Sequence, residues 1–208
     1  MHVITLATQK GGSGKSTLAA SLAVAAEQSG KRVAVLDTDP QGTVFKWGQR
    51  RKGDTPVVDK CEPHQLAAVL KALPKQGFDW VIIDTAGAHN ASVAPALQAA
   101  SFCLVPVKPT LPDLEAAVPT ARQLRERKTP FAFVLSQCFG SASRTNDAAT
   151  GLLKHGKIAP TGIFQRADHA DAFTSGQGVT EFNPTGKAAQ EINLLLAWLT
   201  REIEGDAA

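Results

Sequence analysis

The chain has 208 residues, of which 43% are apolar and 20% are charged. These values are typical of a globular protein, so extensive disorder is excluded, and the length favours one domain over two. The 22 basic and 19 acidic residues give a formal net charge of +3, which permits contact with nucleic acid but does not by itself argue for it. We expect a single domain over residues 1–204 and a short flexible tail over residues 205–208.

The cysteine pattern and the N-terminal segment bear on the compartment. Cys61, Cys103 and Cys138 are widely spaced and form no CxxC pair, which favours reduced thiols over a disulfide framework or a zinc site. Residues 1–7 lack the cationic start and the long apolar stretch of a signal peptide. No apolar run reaches the roughly 18 residues that a membrane helix needs. The sequence therefore predicts a cytoplasmic protein.

Short, continuous apolar runs alternate along the chain with alanine- and leucine-rich segments of helical period. The predicted strands are Val3–Leu6, Val33–Leu36, Trp80–Ile83, Phe102–Val107 and Phe131–Leu135. The predicted helices are Lys15–Ser29, Pro63–Leu73, Ser92–Ala100, Asp113–Arg127, Asp147–Lys154 and Lys187–Ile203. Continuous apolar strands are typical of a parallel sheet that is buried on both faces. The alternation predicts an α/β fold with a doubly wound, mostly parallel sheet and helices on both faces.

A glycine-rich loop after the first predicted strand is the strongest functional signal. Residues 9–17 read Gln-Lys-Gly-Gly-Ser-Gly-Lys-Ser-Thr. The backbone N–H groups of such a loop can surround a phosphate, and the helix that follows directs its positive dipole end at the same anion. Lys15 can reach the β- and γ-phosphates, and the Ser16 hydroxyl can bind Mg²⁺. The sequence predicts a P-loop site for a nucleoside triphosphate, in a variant form that has Gln9 where the standard pattern has glycine.

Acidic residues end two further predicted strands. Asp37 and Asp39 follow the second strand, and Asp84 ends the third, shortly before Gly87. Ligands bind at the carboxyl ends of strands in open α/β sheets, so all three carboxylates can surround the magnesium and the phosphates. Asp84 is the expected magnesium acid with Asp37 as a second metal-side acid, and Asp37 or Asp39 could orient the attacking water. Helix capping is the alternative role of each acid.

Three motifs in order resemble the deviant-Walker-A ATPases of the ParA/MinD group. They are Lys-Gly-Gly-x-Gly-Lys-Ser-Thr from position 10, Asp-x-Asp-Pro-Gln-Gly from position 37 and Asp-Thr-Ala-Gly from position 84. Residues 105–110 and 178–184 extend the resemblance over nearly the whole chain. It is greatest to small, ParF-like partition ATPases. Since the P-loop begins within the first dozen residues, we expect no N-terminal helix-turn-helix.

The resemblance implies roles for individual residues. Lys10 is the signature lysine, which in this group reaches across a sandwich dimer to the partner's nucleotide, and Asp39 positions water. The phosphates, the magnesium and the adenine are held by Gly11, Gly12, Ser13, Gly14, Lys15, Ser16, Thr17, Phe182, Asn183 and Pro184. Members of the group often have Asn after the fifth predicted strand, where this chain has Ser136 and Gln137.

The resemblance also implies a function with ATP and Mg²⁺ as cofactors. An ATP-bound homodimer would bind DNA non-specifically, associate with the nucleoid, and hydrolyse ATP slowly until a ParB-like or cargo-adaptor partner stimulates it. Two basic clusters are candidates for DNA contact, although each also fits an ordinary solvated helix face. They are Lys46, Arg50, Arg51 and Lys52, and Arg122, Arg125, Arg127 and Lys128.

Other functions within the group are weighed by the residues they need. The chain has no tyrosine, which excludes the autophosphorylating tyrosine kinases. Residues 187–206 carry two basic and four acidic side chains, which disfavours a membrane-binding terminal helix. Cys103 lies in an apolar run and Cys138 alone cannot hold an iron–sulfur cluster. An ATP-dependent ligase of the cobyrinate or dethiobiotin type, acting on a small molecule, stays open as the alternative.

Overall fold

The computed structural model describes residues 1–87, 93–140 and 142–205. Within them the strands are β1 His2–Leu6, β2 Val33–Asp37, β3 Val57–Lys60, β4 Trp80–Asp84, β5 Phe102–Val107, β6 Phe131–Cys138, β7 Lys157–Ile158 and β8 Ile163–Phe164. The helices are α1 Lys15–Gln28, α2 Thr43–Arg50, α3 Leu66–Ala72, α4 Ala94–Ala99, α5 Leu111–Glu126, α6 Ala142–Leu153, α7 Ala167–Thr174, α8 Val179–Phe182 and α9 Lys187–Glu204. A 3₁₀ turn over Leu73–Gln76 follows α3.

The strands form one sheet in the order β3-β2-β4-β1-β5-β6-β7, and β8 pairs with β6 beyond a register shift between Ser136 and Cys138. Every described pairing is parallel. Strand β1 lies at the centre, between β4 and β5. The carboxyl ends of β1, β2 and β4 are consequently neighbours, which brings the segments that follow them to one edge of the sheet.

The five predicted strands and the α/β class are confirmed. Strands β2, β4 and β5 are buried along their full length, as the continuous apolar runs indicate. Strands β3, β7 and β8 and helices α2, α7 and α8 were not predicted. Each is eight residues or shorter, and all but the two-residue β8 are half polar. Helix α6 begins at Ala142, five residues before its predicted start. The predicted helix start at Ser92 and residues 206–208 of the predicted tail lie outside the described residues.

The core lies on both faces of the sheet. On α9, the side chains of Ala188, Ile192, Leu195 and Leu199 are fully buried in the core with residues of the sheet and α1, so this stripe is core packing. No helix within the described ranges is long and apolar enough to cross a membrane. Cys103 is buried as expected, and Cys138 is buried as well, against the expectation that it could be exposed.

Candidate nucleotide site

The glycine-rich loop connects the central strand to the central helix. It leaves β1 after Leu6 and enters α1 at Lys15. Gly12 and Gly14 have φ angles of 73° and 88°, a left-handed conformation that glycine adopts without strain. The Ser136 hydroxyl donates a 2.9 Å hydrogen bond to the Ser13 carbonyl. The loop is thereby fixed to β6 on one side, with its N–H groups available around the start of α1.

Lys15 is buried at the start of α1. Burial lowers the pKa of its ammonium, while the carboxylates of Asp84 and Asp39 act in the opposite direction. A Cβ on Gly87 would lie 3.0 Å from the Gly11 Cα and 3.1 Å from Lys15 Nζ. Only glycine therefore allows the segment after β4 to approach the loop and this ammonium so closely. Residues 88–92, which continue that segment, lie outside the described residues.

Asp84 has the surroundings of a metal-binding carboxylate. Its side chain is fully buried, and the Ser16 hydroxyl donates a 2.6 Å hydrogen bond to its Oδ2 atom. The Oδ1 atom has no hydrogen-bond partner within the described part of the chain. Burial raises the pKa of Asp84 to about 7. A carboxylate and a hydroxyl are oxygen ligands of the kind that Mg²⁺ takes, so the residues present fit the predicted cation.

The other two predicted acids differ in their surroundings. Asp37 is buried, and its two oxygens accept hydrogen bonds from the backbone N–H groups of Asp39, at 3.0 Å, and Phe45, at 2.9 Å. Burial raises the pKa of Asp37, although these amides oppose the shift. Asp39 is half-buried, and within the described residues its carboxylate accepts one hydrogen bond, from the Gln41 N–H. Asp37 thus holds the turn into α2, while Asp39 has the more accessible carboxylate.

Lys10 lies at the outer side of the loop. Its side chain is 41% exposed, and its Nζ atom lies 2.8 Å from Oδ2 of Asp113, which is 6% exposed at the start of α5. The same oxygen accepts a hydrogen bond from the Thr110 hydroxyl. Burial opposes the shift, but the bonds from Lys10 and Thr110 hold the pKa of Asp113 below its usual value. The two lysines of the loop therefore differ: Lys15 points inward and Lys10 is held by α5.

A cavity of about 540 Å³ opens beside the N-terminus of α1. Its wall is largely apolar, with a few polar groups, as in many small-molecule sites. The lining residues are Gly14, Thr17, Leu18, Ser136, Gln137, Ile163, Phe164, Gln165, Arg166, Ala167, His169, Ala170, Phe173, Thr174 and Ile192. The cavity is continuous with the P-loop through Gly14 and Thr17.

The residues predicted to lie against adenine do not line this cavity. Phe182, Asn183 and Pro184 follow the cavity wall in sequence but do not line it. Phe182 is 40% exposed, and the Asn183 side chain donates a 3.0 Å hydrogen bond to Asp168. The wall is built instead by β8 and α7, which the sequence patterns did not reveal.

Gln137 is a cavity residue that the sequence indicated only as a departure from the family pattern. It has a φ angle of 50° and donates a 2.7 Å hydrogen bond from Nε2 to the Gly12 carbonyl. A residue other than glycine is uncommon in this conformation and is often found at functional sites. Gln137 therefore links the cavity wall directly to the P-loop.

The first basic cluster is only partly available to an anion. Arg51 is 7% exposed and forms two hydrogen bonds, of 2.9 and 3.0 Å, with the carboxylate of Glu181. The Arg50 guanidinium donates to the Phe173 carbonyl at 3.1 Å. Lys46 and Lys52 are exposed. Arg51 thus has a packing role, which makes it the least accessible of the four candidate DNA contacts in this cluster.

The second basic cluster remains at the surface. Arg122, Arg125, Arg127 and Lys128 are all exposed at the end of α5 and just after it. Arg122 pairs with Glu126 at 2.9 Å, and Arg125 donates to the His155 carbonyl at 2.7 Å. These contacts are at the surface and hold the side chains weakly.

Comparison with known proteins identifies the family. The CobQ/CobB/MinD/ParA nucleotide binding domain, CbiA, matches residues 4–179. The Halothiobacillus neapolitanus "Maintenance of carboxysome distribution protein A" is 28% identical over 203 residues, which cover 93% of this chain and 94% of that protein.

Two solved structures share the fold. The cell division ATPase MinD of Pyrococcus furiosus has a TM-score of 0.83 at 18% identity, covering 97% of this chain and 99% of that one. An ATP complex of McdA from Cyanothece has a TM-score of 0.74 at 18% identity, covering 100% and 98%. The fold is that of the P-loop NTPases of the MinD and ParA kind. This chain belongs to the CobQ/CobB/MinD/ParA nucleotide-binding domain family.

Proposed function

We propose that the chain is a Mg²⁺-dependent ATPase of the partition and positioning kind, whose ATP-bound form is a sandwich dimer. The observation that carries this proposal is the arrangement of the two P-loop lysines. Lys15 is buried against Asp84, whereas Lys10 is 41% exposed at the outer side of the loop. A second cation placed there can serve a phosphate on a facing protomer.

The described surfaces support one orientation for a bound ATP, with the adenosine in the cavity and the phosphates along the loop. The cavity beside Gly14 and Thr17 has the size and the apolar wall that an adenosine needs. The phosphates would then lie along the loop, with the terminal phosphates near Lys15. Ser16 and Asp84 would hold the Mg²⁺, which when bound neutralises phosphate charge. Two observations support this assignment. The Ser16 hydroxyl and the Asp84 carboxylate are oxygen ligands that lie together, and Asp84 Oδ1 has no hydrogen-bond partner among the described residues.

Hydrolysis needs a group that orients water near the terminal phosphate. Asp39 is half-buried and accepts a single backbone hydrogen bond, so its carboxylate can take this role. Asp37 is already occupied by two backbone amides. We propose that hydrolysis is slow in the isolated dimer and is stimulated by a ParB-like or cargo-adaptor partner, after which the protomers separate.

The dimer would bind DNA non-specifically and so associate with the nucleoid from the cytoplasm. Exposed cations near α2 and at the end of α5, among them Lys46, Lys52 and Arg127, could contact phosphates. Such binding would weaken steeply with salt concentration.

A metabolic ligase is the alternative, because the family description also names CobQ and CobB. The matched relative with a carboxysome-distribution name and the MinD and McdA fold neighbours favour positioning. ATP turnover in the absence of any small-molecule acceptor would favour the ATPase. Turnover that begins only when an acceptor is added would favour the ligase.

Two substitutions test the arrangement of the lysines. Lys15→Ala should abolish nucleotide binding, measured by calorimetry. Lys10→Ala should leave ATP binding measurable and remove hydrolysis or dimer formation, measured by phosphate release and light scattering. If the Lys10→Ala protein hydrolyses ATP and dimerises like the unmodified chain, the role assigned to Lys10 is wrong.

A further inference from the structure

Lys108 lies over the P-loop from the neighbouring strand. It follows β5, which ends at Val107 beside the central strand. A Cβ built on Gly12 would lie 3.9 Å from Lys108 Nζ, so the ammonium is close to the backbone of the loop. The residue is half-buried. The fold therefore brings a third lysine, besides Lys10 and Lys15, to the glycine-rich loop.

This ammonium has no acceptor of its own among the residues that the structure describes. Within the described ranges Lys108 Nζ forms no ion pair and donates no hydrogen bond, whereas Lys10 donates to Asp113. Asp113 is near enough for Lys108 to help lower its pKa, yet its Oδ2 atom is already shared by Lys10 and the Thr110 hydroxyl. A partly desolvated cation without an acceptor gains when an anion binds beside it.

The position of Lys108 along the loop indicates which phosphate it would meet. The cavity opens at Gly14, beyond the Gly12 contact. At the other end of the loop, Gly11 lies next to Gly87, and a Cβ on Gly87 would lie 3.1 Å from Lys15 Nζ. The loop thus runs from the nucleoside side at Gly14 to the terminal-phosphate side at Gly11. Lys108 lies near Gly12, between these two ends, and does not line the cavity.

We infer that Lys108 is a phosphate-binding residue that contacts the terminal phosphate of a nucleoside triphosphate bound to its own chain. The inference rests on the proposed function, since it requires the nucleotide to occupy the P-loop. A diphosphate has no terminal phosphate to make this contact with the Lys108 ammonium. Lys108 would therefore set the preference of the chain for triphosphate over diphosphate.

The test is calorimetric binding of a non-hydrolysable ATP analogue and of ADP, each with Mg²⁺, to Lys108→Ala, Lys108→Arg and the unmodified chain. Loss of one charged contact predicts that Lys108→Ala binds the triphosphate about tenfold more weakly and ADP less than about twofold more weakly. Lys108→Arg keeps the charge and should recover most of the triphosphate affinity. Lys71→Ala, an exposed lysine on α3, is the matched control and should bind both nucleotides normally.

Other results separate the inference from the proposed function. If the unmodified chain binds neither nucleotide, the proposed function fails. If it binds both and Lys108→Ala is unchanged, or loses affinity for both alike, the assignment of Lys108 to the terminal phosphate is overturned. A lower melting temperature of free Lys108→Ala with equal losses for both nucleotides would also overturn it, because Lys108 would then support Asp113 structurally.

Discussion

In the free chain, Lys10 Nζ lies 2.8 Å from Oδ2 of Asp113. Asp113 is buried at the start of α5 and also accepts a hydrogen bond from the Thr110 hydroxyl. A lysine that crosses to a facing protomer has to leave this carboxylate first. Under the proposed function, the pair therefore opposes dimer formation until a nucleotide on the other protomer offers a stronger anion.

Asp113→Asn should make dimerisation easier. The amide keeps the shape of the side chain but removes the charge that holds Lys10, and such a pair contributes about 1 kcal/mol. Because both protomers of the dimer have to break such a pair, we expect the dimer to form at about thirtyfold lower protein concentration with a non-hydrolysable ATP analogue, measured by light scattering. Glu115→Gln, an exposed acid on the same helix, is the control and should behave like the unmodified chain. Unchanged or weaker dimerisation of Asp113→Asn would show that the pair does not restrain Lys10.

Substitutions of Asp37 and Asp39 should have different effects, on the stability of the fold and on ATP hydrolysis respectively. Asp37→Ala leaves the buried N–H groups of Asp39 and Phe45 without acceptors. We expect its free energy of unfolding to fall by about 2 kcal/mol and its melting temperature by roughly 5 °C. Asp39→Ala should melt normally, bind ATP, dimerise and remain trapped without turnover. Normal turnover in Asp39→Ala would move the water-orienting role to another residue.

Asp84 should make the metal-free chain less stable at alkaline pH. Its pKa is raised to about 7 in the folded state, so between about pH 4 and 7 the folded chain holds a proton that the unfolded chain has released. Stability consequently falls as pH rises through this range. We expect Asp84 to lower the free energy of unfolding by about 2 kcal/mol at pH 8 relative to pH 5.5. Urea denaturation in the presence of a chelator measures this difference. Asp84→Asn should lack that part of the pH dependence, and an identical profile in both proteins would contradict the assignment.

Among the basic residues around α2, Arg51 should contribute to stability, whereas Lys46 and Lys52 should contribute to DNA binding. Arg51→Ala breaks the bidentate pair with Glu181 beneath the surface, so we expect a loss of about 2 kcal/mol in stability. The double change of Lys46 and Lys52 to Ala should leave the melting temperature unchanged. In fluorescence titrations with duplex DNA, the double variant should bind more weakly and with a shallower salt dependence. Normal DNA binding by the double variant would move the contact to another surface, with Arg122–Lys128 as the next segment to change.

The candidate nucleotide-binding edge of the sheet could be predicted from the sequence because its parts are local. Buried parallel strands read as continuous apolar runs, and the P-loop, Asp37, Asp39 and Asp84 each follow such a run directly. Once the sheet was predicted, the rule that ligands bind at the carboxyl ends of its strands brought these segments together.

The nucleoside side could not be predicted in the same way. Its wall depends on β8, which has two residues, and on α7, which has eight residues with three charged or histidine side chains near its start. Neither is long enough to show a period. The contacts of Gln137 with Gly12 and of Arg51 with Glu181 span more than 120 positions. Only the folded chain shows that the Arg51 side chain is 7% exposed and that Phe182 does not line the cavity.

The most direct test of the proposed switch is the mass of the chain by light scattering, first with ADP and then with ATP and Mg²⁺, each with and without non-specific duplex DNA. We expect a monomer with ADP and a dimer with ATP and Mg²⁺, and only the dimer should bind the DNA. A mass and a DNA affinity that are the same with both nucleotides would contradict the proposed switch, and small-molecule acceptors should then be screened for a ligase.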